Sequence, residues 1–194
     1  MLKKIKIINF TINTLIAKRS AIKILNKEKH QIKNVTVLTP EKIRRLCINY
    51  IALDFDGVLA PHGALRPNEQ AFKWLKVMHE TEIPKKIFIL SNNPTISRCR
   101  YFAKNFPKIQ FIDNVMRKPY PEGLIKIQTL MRCKPRELAL VDDRLLTGCL
   151  ACILAKSFPI LVTQPYTDYF KHPLQEAFFS ILRLLEKILL IFYK

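Results

Sequence analysis

The chain lacks the usual marks of several protein classes. No internal repeat and no low-complexity tract occurs in its 194 residues, which excludes solenoid, fibrous and disordered architectures. Acids are scarce: 15 Asp and Glu stand against 33 Lys and Arg, a net charge of +18. So large an imbalance implies an anionic partner or surface rather than any particular fold. The five cysteines, Cys47, Cys99, Cys133, Cys149 and Cys152, are odd in number and scattered, which excludes a disulfide framework and fits reduced thiols in a cytoplasmic protein. Cys149 and Cys152 form a CxxC with no second pair, within an expected helix, and this points to packing rather than zinc or redox work. Before Tyr50 no apolar run is long enough for a secretory signal or a membrane-spanning helix.

What is present suits one domain with an ample core, since 49% of the residues are hydrophobic and domains commonly run to about 100–200 residues. Three parts are expected: a basic segment over 1–34, a central domain over 35–172, and an apolar helix over 173–194. The first carries Lys3, Lys4, Lys6, Lys18, Arg19, Lys23, Lys27, Lys29 and Lys33 against Glu28 alone. Leu2, Ile5, Ile8, Ile12, Leu15 and Ile16 fall near helical spacing among these charges, predicting a basic amphipathic helix. A transit peptide also fits the composition, though lysine outweighs arginine, and so does a plain solvated helix. In the last part Ser180, Arg183, Glu186 and Lys187 fall on one narrow stripe, leaving most of the circumference apolar. Charges at its middle argue against a simple span. Packing on the domain, a helix-mediated dimer and shallow insertion at a bilayer surface all remain open.

From Tyr50 onward strand and helix patterns alternate. Strands are expected near 50–54, 86–90, 109–112, 138–142 and 159–163, and helices near 68–79, 95–105, 120–132 and 145–155. Alternation of this kind predicts an α/β three-layer sandwich with a mostly parallel sheet, Rossmann-like, whose ligands sit beyond the carboxyl ends of the strands. Chemistry-bearing residues fall there in order. Tyr50-Ile51-Ala52-Leu53 runs into Asp54-Phe55-Asp56-Gly57. Side chains alternate along a strand, so Asp54 and Asp56 leave its end on one side, and Gly57 permits a sharp turn. Two such acids can hold a hard cation through oxygen, or one can attack phosphorus while the other moves protons. An ordinary strand ending in an acidic turn would give the same local pattern. Three further pieces follow at strand ends or loops: Ser91-Asn92-Asn93-Pro94 after Ile87–Leu90, Lys118-Pro119, and Asp142-Asp143 after Leu138–Val141.

This ordered set, over roughly Val35 to Thr163, resembles the haloacid dehalogenase (HAD) superfamily of phosphatases: Asp-x-Asp-Gly, a strand-end Ser or Thr, a Lys, then one or two acids. The resemblance implies that Asp54 is the nucleophile and Asp56 the general acid and base. It further implies that Ser91, Asn92 and Lys118 bind phosphate, and that Asp54, Asp56, Asp143 and Asp142 serve a Mg²⁺ site, with Asp56 contributing its main-chain carbonyl. The gaps between motifs hold one helix and one strand each, leaving no room for a cap domain. A capless site suits a substrate whose body cannot be enclosed: a lipid headgroup, a nucleic-acid end or a protein.

Finer likeness is to the capless subclass that includes YqeG-type proteins and the mitochondrial phosphatidylglycerophosphatase. It rests on Leu38-Thr39-Pro40, Leu90-Ser91-Asn92-Asn93, Lys118-Pro119 and Val141-Asp142-Asp143-Arg144-Leu145-Leu146-Thr147, with Arg183 and Glu186 in a terminal helix. Three positions depart from that pattern. Val58 replaces a threonine, Asp142 stands where glycine is usual, and Gly148 stands where a second aspartate is usual. The resemblance implies a Mg²⁺-dependent phosphomonoesterase acting on an anionic phospholipid, phosphatidylglycerophosphate, at the cytoplasmic face of the membrane. The basic N-terminal segment and apolar terminal helix suit such a surface. A nucleic-acid end phosphatase and a degenerate, non-enzymatic binding module are the rival readings. Against the former, the basic residues are not interleaved with an aromatic stacking platform.

Overall fold

A computed structural model describes residues 2–192, with side chains from Ile5 onward; Leu2, Lys3 and Lys4 of the expected basic stripe and residues 193–194 of the terminal helix lie outside the described side chains. Helices α1 (Leu2–Ala17) and α2 (Arg19–Ile22) lead into β1 (Gln31–Ile32), followed by α3 (Pro40–Arg45) and β2 (Tyr50–Leu53). Then come α4 (Glu69–Thr81), β3 (Lys86–Ile89), α5 (Ile96–Asn105), β4 (Gln110–Phe111) and α6 (Glu122–Met131). The chain ends with β5 (Leu138–Asp142), α7 (Leu150–Leu154), β6 (Phe158–Val162) and α8 (Pro173–Phe192). The six strands lie in the order β1-β6-β5-β2-β3-β4, and every pairing is parallel.

The sheet is buried on both faces, which is why its strands read as unbroken apolar runs. Period two sorts their side chains. Ile51, Leu53, Ile87, Ile89, Ala139 and Val141 enter one core with Trp74, Leu75 and Phe102 from α4 and α5. Ala52, Phe88, Leu138 and Leu140 enter the other with Leu124 and Ile127 of α6 and Ala151 and Cys152 of α7. Asn68 and Thr95 cap α4 and α5 by accepting the Gln70 and Arg98 amides at 2.8 and 3.3 Å. Ala71, Trp74, Leu75 and Met78 then recur at helical spacing on the buried face of α4.

Three boundaries differ from expectation. The sheet begins before residue 35: Gln31 and Ile32 pair with Leu161 and Val162 of β6, so the 1–34 segment supplies an edge strand. Ile22 and Leu25 are likewise fully buried, packed with Leu145, Leu150 and Leu190. Two residues carry too little alternation to be recognised as a strand. The strand expected over 109–112 keeps only Gln110–Phe111. The helix expected over 145–155 opens as a wide π-type turn, Leu145–Cys149, before α7. Cys149 and Cys152 are buried and unbridged, and burial raises both thiol pKa values, leaving them inert.

Only four glycines serve 194 residues, and the shortage shows in the backbone. Cys47, Glu82, Asn114, Arg132 and Lys156 all adopt positive φ, a conformation that costs a side-chain-bearing residue about 1–2 kcal/mol. Arg132 ends α6 this way at φ 47°, the place where glycine is favoured. Arg132→Gly should therefore stabilise the fold by about 1 kcal/mol, raising Tm by about 2–4 °C; an unchanged or lower midpoint in urea would show that the arginine is not strained there.

Candidate active site

The carboxyl ends of β2, β3 and β5 meet where the strand order reverses, the place at which open α/β sheets bind ligands. Asp54 follows β2 directly and its amide donates to the Val141 carbonyl at 2.9 Å, which fixes its height against β5. Asp142 ends β5 and Asp143 follows it. Carboxylate oxygens of Asp54, Asp142 and Asp143 all lie within 4.8 Å of one another. Lys118 reaches this group from the loop before α6: its Nζ stands 2.9 Å from Asp54 Oδ2 and 2.6 Å from Asp142 Oδ2, with the side chain 2% exposed. Burial works against the lysine's charge, but Asp142 and Asp54 outweigh it and raise its pKa. Ser91 lies just past β3 beside Asp54, buried, its Oγ accepting the Asn93 amide at 3.1 Å.

Two of the expected residues turn their side chains away from the cluster. The Asn92 side chain is spent on the main chain of Lys118, accepting its N–H at 2.8 Å and donating to its carbonyl at 3.2 Å. It sets the lysine's loop and is not free to bind phosphate. Asp56 does not join the acid cluster through its side chain. Its carboxylate turns to Arg98 of α5, which grips it with both ends of the guanidinium at 2.7 and 2.9 Å. For a metal, Asp56 therefore offers only its main-chain carbonyl.

Arg98 is the residue that sequence reading missed. It is 1% exposed, lies 4.0 Å over the Phe55 ring, and gives its remaining hydrogens to the carbonyls of Ala64 and Asn93. Its signal was present: Arg98 and Phe102 share the buried face of α5, and a buried arginine demands a paired acid. The terminal helix also enters the site. Arg183 of α8 places Nη1 2.6 Å from Asp143 Oδ2. Glu186, on the same helix, accepts from Arg144 at 2.7 and 3.0 Å and from the Leu145 amide at 2.8 Å. Glu176 accepts the His62 amide at 3.0 Å, and the His62 ring stacks on Phe179. These polar contacts pack one face of α8 on the domain. Beside Asp143 and Arg183 opens a cavity of about 620 Å³ that continues along Leu184, Leu190 and Ile191.

The two glycines at the site are steric requirements. Gly57 has φ +79°, and a Cβ there would come within 2.5 Å of Asp143 Oδ2. A Cβ on Gly148 would strike the carboxylate of Asp142. Asp142 fills the space that a side chain at 148 would need and delivers its carboxylate from the strand end.

Three buried carboxylates against two fixed cations, Lys118 and Arg183, leave an excess of negative charge. Burial, with repulsion from Asp54, pushes Asp142 up to about 8 and Asp143 up to about 6, Lys118 and Arg183 respectively opposing the rise. This all-oxygen donor set fits a hard divalent cation. A raised folded-state pKa means the native protein holds more protons than the unfolded chain, so without metal its stability falls as pH rises toward that pKa. His30, whose pKa burial lowers, acts oppositely but below the window from pH 7 to 8. In EDTA, stability should drop over that window by up to about 1.4 kcal/mol per proton released, and Mg²⁺ should flatten the drop. A pH-independent Tm in EDTA would contradict it.

No family model matches the sequence. Over 119 residues, 61% of this chain, it is 29% identical to a protein of Bacillus subtilis (strain 168) named "Probable phosphatase YqeG", and it spans 66% of that protein's length. Among solved structures it is similar to an uncharacterized protein of Corynebacterium glutamicum, with TM-score 0.46, 18% identity, 66% of this chain and 91% of that one covered. It is also similar to a HAD-superfamily hydrolase of Ehrlichia chaffeensis, with TM-score 0.42, 22% identity, 52% and 54% covered. The parallel sheet, with Asp54, Ser91 and Asp142 at its strand ends and Lys118 in a loop beside them, is similar to the haloacid dehalogenase pattern that the sequence resembles, and the chain is similar to YqeG over 119 residues.

Proposed function

We propose that the chain is a Mg²⁺-dependent phosphomonoesterase that dephosphorylates an anionic phospholipid, phosphatidylglycerophosphate, to phosphatidylglycerol at a membrane surface. The observation that carries the phosphatase reading is the strand-end cluster of Asp54, Lys118, Asp142 and Asp143. Asp54 attacks phosphorus and takes the phosphoryl group as an aspartyl-phosphate, splitting one hard displacement into two easier ones. Lys118 offsets charge on the nucleophile and on the phosphoryl oxygens; Ser91 and the amides near Asn92 donate to those oxygens. Asp56, aimed by Arg98, protonates the leaving alkoxide and later takes a proton from the attacking water. A divalent cation held by Asp54, Asp143 and the Asp56 carbonyl would supply the remaining neutralisation of phosphoryl charge. Asp143, which would hold such a cation, is also paired with Arg183.

The lipid reading rests on what flanks this cluster. Each interval between motifs holds a single helix and strand, so nothing is inserted over the site. Phe10 of α1 stacks on Tyr120, two residues from Lys118, at 4.3 Å, and α8 touches Asp143 through Arg183. Both helices turn apolar residues outward: Ile5, Ile8, Ile12 and Ile16 on α1, Phe178, Ile181, Leu185 and Ile188 on α8. Among the described residues no helix is long and apolar enough to cross a membrane, and apolar stripes beside a basic segment suit shallow seating on an anionic surface. The test is phosphate release from a panel of lipid, nucleotide and nucleic-acid phosphates. Release from phosphatidylglycerophosphate vesicles, silenced by EDTA and restored by Mg²⁺, is expected, and Ile181→Glu with Leu185→Glu should abolish co-sedimentation with the vesicles while sparing a soluble aryl phosphate. Turnover confined to nucleic-acid ends would overturn the lipid assignment.

A further inference from the structure

The sheet has a second charged end. Opposite Asp54, where the amino ends of β1, β5 and β6 lie side by side, is a cleft of about 650 Å³. Lys27, Lys29, Lys134, Arg136 and Lys156 line it, and no carboxylate does. The five come from three segments that the sheet gathers: 27–29 entering β1, 134–136 entering β5, and the turn before β6. Among the described residues none of the five is ion-paired. Two acids neighbour these cations in sequence: Glu137 is used on the Asn49 side chain and the Lys134 amide, and Glu28, between Lys27 and Lys29, is exposed and lies outside the lining. Lys156 occupies a position of φ 58°, at the end of α7, where glycine would be the relaxed choice. The floor is less polar, formed by Ile24, Ile153 and Phe158, with His30 stacked on Phe158 at 4.4 Å and bonded through Nδ1 to the Pro159 carbonyl at 2.7 Å.

Five like charges around one concavity repel one another, and no carboxylate in its lining offsets them. A phosphate monoester carries about two negative charges, too few for five cations; a diphosphate or triphosphate matches them better. The volume is that of a small-molecule site. A single-strand groove would need successive exposed aromatics, and here the one aromatic, Phe158, is already covered by His30. The five residues of β5 set this end about 16 Å from the Asp54 cluster, so a ligand here meets none of the reacting atoms.

We propose that this cleft is a binding site for a small diphosphate- or triphosphate-bearing ligand of the nucleotide class, its phosphates on Lys29, Lys134, Arg136 and Lys156 and its less polar body against Ile153 and Phe158. The site is separate from the phosphatase reading and stands without it. Calorimetric titration of the full chain with ADP, ATP and inorganic phosphate, in EDTA at low salt, tests it. ATP or ADP should bind more tightly than inorganic phosphate, and Lys134→Glu with Arg136→Glu should weaken that binding by about 100-fold, about ten-fold for each lost charge-assisted contact. Asp54→Asn should leave it unchanged, and so should the control pair Arg44→Glu with Arg45→Glu on α3. Nucleotide should shift the His30 ring resonances in the wild type and not in the charge-reversed chain, whose His30 resonances at their native positions before titration report that it is folded. An equal loss in the α3 control would reduce the effect to net charge. A loss in Asp54→Asn would move the binding to the strand-end cluster. Tighter binding of a single-stranded RNA oligomer, lost in the same cleft variant, would make this a nucleic-acid surface; each of these results overturns the proposal.

Discussion

Gly148→Asp should leave the chain unstable and without phosphatase activity, and adding Asp142→Gly to the same chain should restore both. A side chain at 148 meets the Asp142 carboxylate at once, and an interior packed to crystal density has no room for both. A fourth carboxylate beside Asp54, Asp142 and Asp143 would also be uncompensated, at an effective cost of several kcal/mol for the ion alone. In the double variant the acid enters from the Leu145–Cys149 turn and the strand end is cleared, so Lys118 keeps a partner. Asp142→Gly alone removes the 2.6 Å contact to Lys118 and should raise the Mg²⁺ needed for activity. Thermal melts and Mg²⁺ titrations of phosphate release on the four chains measure this. A double variant no better than Gly148→Asp would show that the two positions do not exchange one role.

Arg98→Met should be the most damaging substitution at a residue that touches no phosphate. It strands the Asp56 carboxylate, whose two oxygens now accept at 2.7 and 2.9 Å, and breaking a buried ion pair costs about 3–5 kcal/mol. It also releases the group to which the proposed mechanism gives proton transfer, and general acid–base catalysis contributes about 10²–10⁴-fold. An alkoxide needs that proton to leave and an aryl oxide hardly does, so turnover of an alkyl phosphate should fall much further than that of an aryl phosphate. Arg98→Lys keeps the charge without the planar fork; it should recover stability more than alkyl-phosphate turnover. Equal losses on the two substrates in a folded variant would mean that Arg98 only holds the fold.

The sequence disclosed the parts of this molecule whose cause is local. β2, β3 and β5 are buried on both faces, and their apolar runs end at the acids and the serine that the sheet gathers. The parallel sheet and the placement of Asp54, Ser91 and Asp142 at its carboxyl end follow from that alternation. What escaped depends on contacts distant in sequence. β1 is a strand only because Leu161 and Val162 pair with it. Arg98 is a positioning residue only because α5 lies 42 residues from Asp56 and returns beneath it. Asn92 offers the same amide whether it faces a phosphate or the Lys118 peptide. That Asp142 and Gly148 share one space is visible only in the fold, since residues 143–147 separate them in the chain.

The central claim is that Asp54 carries the phosphoryl group. It is tested most directly by rapid acid quench of Asp56→Asn during turnover of an aryl phosphate, whose leaving group needs no proton, in Mg²⁺, followed by mass analysis of the peptide containing residues 50–57. That variant retains the nucleophile and slows the hydrolysis step, so phosphate should accumulate on Asp54, and Asp54→Asn should show neither the modified peptide nor turnover. Continued phosphate release by Asp54→Asn, or phosphate trapped on any other residue, would contradict the account.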